Sequence, residues 1–242
     1  MPFINPDWPV NDRVGALCTT RLGGVSLGVY DSFNVAQHVG DCAQRVDRNR
    51  SILIEKAALP SAPIWLNQVH GTELIDGSLA AHNLDADGSY SCERGVICAV
   101  MTADCLPVLI ADKKGEYVAA VHAGWRGLRD GIIEKAVQQS NLPPERLQVW
   151  LGPAIGATAF EVGDEVYEGF VKRYPEASKA FKANLPGKWL ADIYQLARTA
   201  LKHVGVNHCY GGEFCTFSDV DRFYSYRREG ITGRMVSLIW LK

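Results

Sequence analysis

No apolar run in this 242-residue chain is long enough to span a bilayer, so no membrane-spanning helix is expected. There is no basic tract, and the formal net charge is −2, so nucleic acid is not expected as a partner. The opening residues Met1-Pro2-Phe3-Ile4-Asn5-Pro6-Asp7-Trp8 lack a basic segment followed by an apolar one. No signal peptide is expected from them, and the scattered cysteines lead us to expect a cytoplasmic protein. No Pro/Ser-rich linker, charge block, repeat or low-complexity stretch divides the chain, which favours a single domain over 1–242. Phosphate-cradling signatures of the G-x-x-x-x-G-K-[ST] and G-x-G-x-x-G types are missing. So is the H-x-E with P-C-x-x-C pair of cytidine-deaminase zinc sites. The six histidines include no H-x-H pair, which leaves a multi-copper cluster short of ligands.

What is present is an ordinary globular composition, 47% hydrophobic and 21% charged, with ample material for a core. The seven cysteines (Cys18, Cys42, Cys92, Cys98, Cys105, Cys209 and Cys215) are odd in number and lack C-x-x-C spacing. That pattern fits reduced thiols, most of them small core residues. Apolar periodicity predicts strands at 14–20, 63–69, 72–75, 96–102, 107–111, 117–122, 147–151, around Tyr210, at 222–227 and at 234–241. Helices are predicted at 43–58 with Asp41 as its cap, and at 128–140, 164–173, 177–183 and 193–204. Strands cluster without strict alternation with helices. That favours α/β or α+β, a layered sandwich with mixed sheets, over a doubly wound fold.

His70, Cys105 and His122 each stand where an apolar run gives way to a Gly or Pro turn. A rigid scaffold hands side chains to a site at such places. Two imidazoles and a thiolate suit a zinc-like ion, and three protein ligands would leave the open position of a catalytic site. The same residues also suit a Cys-His nucleophilic pair. His70 favours the ligand reading, because a simple pair needs no third donor. Spacings of 35 and 17 residues match no local metal motif, so the fold must bring the three together. A closed structural site would need a fourth ligand, for which Cys42, Cys92, Cys98, Cys209 and Cys215 are candidates. Asp104 is either a turn residue or an acceptor for a ligand imidazole, or else a general base. Arg21 with Gly23-Gly24 and Ser26 is a candidate anion cradle. Arg126 opens a helix just after His122, and Arg227 or Arg228 is a candidate clamp for phosphate or carboxylate.

Six strings then carry a resemblance. They are Thr20-Arg21-Leu22-Gly23-Gly24-Val25-Ser26, Gln68-Val69-His70-Gly71, Thr102-Ala103-Asp104-Cys105-Leu106-Pro107, His122-Ala123-Gly124-Trp125-Arg126-Gly127, Gly152-Pro153-Ala154-Ile155-Gly156 and Phe223-Tyr224-Ser225-Tyr226-Arg227-Arg228. Together they closely resemble the YfiH family, also called the laccase-domain, polyphenol oxidase or peptidoglycan-editing-factor family. The resemblance runs from about Val14 to the C-terminus. It implies a single-domain layered α/β fold similar to the catalytic domain of the cytotoxic necrotizing factor toxins. It also implies a zinc site at His70, Cys105 and His122. For activity it implies phosphorolysis of adenosine, inosine and methylthioadenosine with deamination of adenosine. Arg21, Arg126 and Arg227 are then the candidates to hold phosphate, and a monomer is expected. A second implied activity is an amide hydrolase that removes misincorporated L-serine from a UDP-muropeptide. Copper and phenol oxidation come with the laccase label, and the residues themselves favour that least.

Overall fold

The computed structural model describes residues 3–79 and 84–242. Their strands are β1 (Phe3–Ile4), β2 (Val14–Thr19), β3 (Leu74–Asp76), β4 (Gly88–Ser91), β5 (Ile97–Thr102), β6 (Leu106–Asp112), β7 (Val118–Ala123), β8 (Leu147–Leu151), β9 (Glu161–Gly163), β10 (Phe181–Ala183), β11 (Lys188–Ala191), β12 (His208–Gly211) and β13 (Met235–Leu241). The helices are α1 (Ala43–Ala57), α2 (Trp125–Asp130), α3 (Ile132–Gln139), α4 (Asp164–Arg173), α5 (Ile193–His203) and α6 (Tyr226–Glu229). No described helix is long and apolar enough to cross a membrane.

Two sheets form the frame. One is antiparallel, in the order β1-β2-β13-β5. The other is mixed, in the order β12-β8-β6-β7-β4-β3, with parallel pairs only at its two edges. A small sheet, β10-β11-β9, lies apart from them. Val14, Val100, Leu109, Val118 and Ile239 pack in one apolar cluster between the two large sheets. On the far side of the antiparallel sheet, Leu17, Trp65, Val236 and Leu238 meet Ile52 and Leu53 of α1. On the far side of the mixed sheet, Val108, Val121 and Val149 meet Leu128, Ile133 and Leu196 of the helices. The layers therefore run helix, sheet, sheet, helix, a mixed α/β sandwich. This double coverage explains why β5, β6, β7, β8 and β13 are buried along their whole length and read as continuous apolar runs.

Several elements differ from expectation. The apolar segment 63–69 is no strand; its backbone forms only isolated bridges, Ile64 with Cys98 and Asn67 with Asp85. Its apolar character comes from packing, since Ile64 and Leu66 bury against Ala86. The helix expected at 128–140 is two helices, broken at Gly131, whose φ of +101° an L side chain rarely adopts. Residues 177–183 are not α-helix. A 3₁₀ segment, Pro175–Ala180, leads directly into β10. Residues 222–227 are not a strand either, because the Ser225 hydroxyl accepts from the Arg228 N–H at 3.2 Å and starts α6. Asp41 does not cap α1. Its carboxylate is taken by the Ser26 hydroxyl, the Asn34 amide and the Cys42 N–H, and Cys42 holds the cap position. All seven cysteines are free thiols.

Candidate metal centre

Three elements converge at one end of the two large sheets. His122 is the penultimate residue of β7 and lies opposite Pro107 of β6. Cys105 ends the step 103–105 that carries the chain from β5, in one large sheet, to β6, in the other. His70 sits in the turn before β3 with φ +60°. The ligating atoms of these three residues all lie within 4.8 Å of one another, and Cys105 Sγ is 3.9 Å from His70 Nε2. The imidazole rings meet edge to face with centroids 4.8 Å apart.

This donor set fits a zinc ion. Tetrahedral zinc with thiolate and imidazole ligands spaces its donor atoms roughly 3.4–3.6 Å apart, so donors within 4.8 Å of one another need only draw inward to hold it. The space around the donors is kept open by Gly124. A Cβ there would lie 3.0 Å from His70 Cδ2, 3.2 Å from Cys105 Sγ and 3.6 Å from His122 Cε1. Gly127 brings α2 against the His70-Gly71 turn, where a Cβ would lie 2.6 Å from the Gly71 carbonyl oxygen. Among the described residues the three donors form the only such group, and none of the five candidate cysteines joins them.

Asp87, immediately before β4, organises two of the ligands. It is fully buried, and its Oδ1 lies 2.7 Å from His122 Nδ1. The same carboxylate accepts the backbone N–H groups of His70 at 2.9 Å and Gly71 at 2.6 Å. With Nδ1–H donated to Asp87, His122 turns its Nε2 lone pair toward the site. Burial alone would raise the Asp87 carboxyl. The bond and charge of His122, with the Gly71 and His70 N–H groups, hold it below its usual range. Sequence reasoning missed Asp87, because Leu84-Asp85-Ala86-Asp87-Gly88 carries no apolar run and reads as a loop.

Electrostatics tie Cys105 to His122. Burial pushes the Cys105 thiol up, yet the charge and hydrogen bond of His122, then those of His70, bring it down to about 6. Burial works against the His122 imidazolium, but the Cys105 thiolate and Asp87 raise it to about 9. Without metal, then, the pair is a thiolate beside an imidazolium.

Of the places expected for Asp104, it takes that of the turn residue. It holds φ +91°, and its carboxylate accepts from the Thr216 hydroxyl (2.6 Å), the Ser225 hydroxyl (3.0 Å) and the Arg227 N–H (2.7 Å). Its carbonyl accepts the Ile155 N–H at 3.0 Å. None of these partners is an imidazole, so Asp104 braces the turn that presents Cys105, and the imidazole acceptor is Asp87.

The donors open into a cavity of about 510 Å³, within the range of small-molecule sites. Trp125, Phe160 and Tyr226 give it aromatic walls, and Arg126, Arg227 and Arg234 line it with charge. Arg21 does not reach it. Its guanidinium pairs with Glu229 at 3.0 Å, donates to the Asp31 carbonyl and lies over the Tyr224 ring. The N–H groups of Gly24, Val25 and Ser26 are taken by Ser32 and Asn49, so that loop is no anion cradle. Its Gly24-Val25-Ser26-Leu27-Gly28 string has G-x-S-x-G spacing, but Ser26 is buried and donates to Asp41, so it is no nucleophile. Arg228 is held by the carbonyls of Thr216, Phe217 and Phe223.

A family model described as multi-copper polyphenol oxidoreductase laccase matches residues 15–242. The chain belongs to this family. It is 51% identical over 242 residues, 99% of this chain and 98% of the other, to a purine nucleoside phosphorylase of Pseudomonas aeruginosa. It is 50% identical over 240 residues, 99% of this chain and 98% of the other, to purine nucleoside phosphorylase YfiH of Escherichia coli. Among solved structures it resembles a Neisseria meningitidis protein, with TM-score 0.96 and 48% identity over all of both chains. A Bacillus licheniformis YfiH protein superposes with TM-score 0.88 at 28% identity, over 96% of this chain and 94% of that one. For this member of the laccase-like family, enzyme homology and a His-Cys-His cluster together support a metal-binding enzyme acting on small molecules.

Proposed function

We propose that the protein is a zinc-dependent purine nucleoside phosphorylase acting on adenosine, inosine and methylthioadenosine, and that it also deaminates adenosine. The observation that carries this reading is the position of the three donors, opening into a compact cavity walled by aromatic rings and guanidinium groups. Close relatives named for purine nucleoside phosphorolysis support it. His70, Cys105 and His122 would hold the zinc, which when bound supplies Lewis acidity and lowers the pKa of water to about 7. Copper is accepted by the same donor types, but a multi-copper cluster needs more ligands than the described group offers.

The chain's own residues do the positioning. Asp87 fixes the His122 tautomer, and Asp104 holds the Cys105 turn. Phe160 and Tyr226 offer flat faces for a purine, and Arg126 and Arg227 offer charge for phosphate. In phosphorolysis a phosphate oxygen bonds to ribose C1′ as the C1′–N9 bond breaks. The electron pair leaves with the purine, which takes the proton of hydrogen phosphate. In deamination the 6-amino group leaves as ammonia and oxygen from water replaces it. We place the protein in the cytoplasm as a monomer, one domain over 1–242, in keeping with its seven free thiols.

A second reading has one observation in its favour. The Cys105–His122 pair, with the thiol drawn down to about 6, is a competent nucleophile for an amide. That suits removal of serine from a UDP-muropeptide, although a cavity of about 510 Å³ suits a nucleoside with phosphate better. Zinc-loaded protein incubated with adenosine and phosphate should release adenine and ribose 1-phosphate, with inosine from deamination. No product above a Cys105→Ala control overturns the proposal, and serine release from the precursor without nucleoside turnover supports the second reading.

A further inference from the structure

Arg234 is the cation in this cavity whose place nothing yet accounts for. It stands at the entry to β13, and its own backbone N–H donates to Asn34 Oδ1 at 3.0 Å. Its Nη1 donates to the carbonyls of Thr232 (2.9 Å) and Gly233 (3.0 Å). These bonds fix the guanidinium plane and leave the edge formed by Nε and Nη2 without a partner among the described residues. That edge is the fork that matches two oxygens of a phosphate.

Arg234 also has no direct ion pair among the described residues; the charges of Cys105 and Asp104 favour its guanidinium only through space. Arg21, Arg146, Arg173, Arg222 and Arg228 each pair with a carboxylate, whereas Arg234 pairs with none among the described residues. Asp104 is the one carboxylate lining the cavity, and both its oxygens are already hydrogen-bonded. Arg126 faces the same space, stacked over Trp125 at 4.3 Å and making no hydrogen bond or ion pair among the described residues. His38 lines the cavity too, and its imidazole is held below its usual range by burial and by the charges of Arg234 and Arg50. A chain of net charge −2 thus concentrates positive charge in one apolar-walled cleft. A half-buried guanidinium edge without a hydrogen-bond acceptor is costly unless an anion completes it.

We propose that the Nε/Nη2 edge of Arg234, with Arg126 lining the same cavity, is the subsite for a tetrahedral phosphate, the orthophosphate co-substrate. The assignment rests on the phosphorylase reading and deepens it. The anion could reach the site as free orthophosphate or as the 5′-phosphate of a nucleotide, and the assay separates the two.

The test uses the zinc-loaded protein as wild type, Arg234→Gln, Arg234→Lys and Arg126→Gln. Calorimetric titration with inorganic phosphate reads binding directly, and initial rates give the KM for phosphate and for adenosine separately. Arg234→Gln should weaken phosphate binding and raise its KM at least about tenfold, the loss expected for a charge-assisted hydrogen bond. The KM for adenosine should change less than about twofold, with Arg234→Lys in between. Arg126 makes no hydrogen bond or ion pair among the described residues, so Arg126→Gln gives the same shift in KM for phosphate even where Arg234→Gln fails to fold. Unchanged phosphate binding and KM in both glutamine variants, with phosphorolysis intact, overturns the subsite and leaves the phosphorylase reading standing. Phosphate binding that Arg234→Gln abolishes, in a protein that turns over no nucleoside, keeps the subsite and removes the phosphorylase reading. A preference for adenosine 5′-monophosphate over adenosine that is lost in Arg234→Gln overturns the co-substrate assignment.

Discussion

Replacing Asp87 by asparagine keeps the shape of the side chain and removes its charge. The carboxylate now serves His122 Nδ1 at 2.7 Å, the His70 N–H at 2.9 Å and the Gly71 N–H at 2.6 Å, with no exposure to solvent. A carboxamide has one acceptor oxygen and turns its NH₂ toward a group that also donates. At least one buried donor is left unmatched, costing about 1–3 kcal/mol. For a chain of this size that lowers Tm by roughly 2–4 °C per kcal/mol. The second consequence falls on the metal. Losing a carboxylate behind a ligand imidazole weakens binding about 10–100-fold, or roughly 1.4–2.7 kcal/mol. Zinc affinity should be measured by competition with a chromophoric chelator, and Tm recorded on metal-free and zinc-loaded samples. The variant should fold, melt lower without metal, and show a smaller rise in Tm on adding zinc. A folded Asp87→Asn protein with wild-type zinc affinity would refute the role of this carboxylate in orienting His122.

Gly124→Ala should keep the fold, since Gly124 has φ −60° and ψ 157°, which alanine tolerates. The added methyl crowds His70 Cδ2 at 3.0 Å and Cys105 Sγ at 3.2 Å, so zinc stoichiometry should fall with little change in metal-free Tm, by elemental analysis and calorimetry. Asp104→Ala should destabilise the fold by about 2–4 kcal/mol in urea melts, because the Thr216, Ser225 and Arg227 donors all lose their acceptor. In metal-free protein, alkylation of Cys105 by iodoacetamide should titrate near pH 6, far below an ordinary thiol. The depressed Cys105 value adds stability that is lost as pH falls through about 6. The raised His122 value adds stability that is lost as pH rises through about 9. Between about pH 6.5 and 9 the folded thiolate–imidazolium pair binds as many protons as the unfolded thiol and neutral imidazole, so the two slopes cancel and the pair should leave metal-free Tm level there; a Tm that changes steeply across that range would contradict the ion pair.

The large buried strands were legible because burial on both faces leaves an unbroken apolar signature, as in β6 and β13. His70, Cys105 and His122 were legible because soft ligands at the ends of apolar runs are unusual. Their convergence was not, since it depends on β5 and β6 lying in different sheets with Cys105 on the step between them. β4 was missed because Gly88, Ser89 and Ser91 give it no apolar run, yet the Gly88 position is so tight that a Cβ would lie 2.4 Å from Leu74 Cδ2. Asp87 was missed with it. The Tyr224-Ser225-Tyr226 alternation suggested a strand, whereas the hydroxyl of Ser225 serves as a helix cap and also reaches Asp104. The anion candidates divided on a feature no sequence shows. Arg21 and Glu229 are 208 residues apart and form an ion pair, while Arg126 is left facing the cavity.

Whether Cys105 is a metal ligand or a free nucleophile decides the chemistry of the whole site. The direct measurement is the zinc content of Cys105→Ala beside iodoacetamide alkylation of the zinc-loaded wild type. Wild type should carry a single zinc ion per chain and resist alkylation at Cys105, and the variant should fold but lose its zinc. Full zinc occupancy in Cys105→Ala, together with rapid alkylation of Cys105 in the zinc-loaded wild type, would make Cys105 a free nucleophile and contradict a zinc site built from His70, Cys105 and His122.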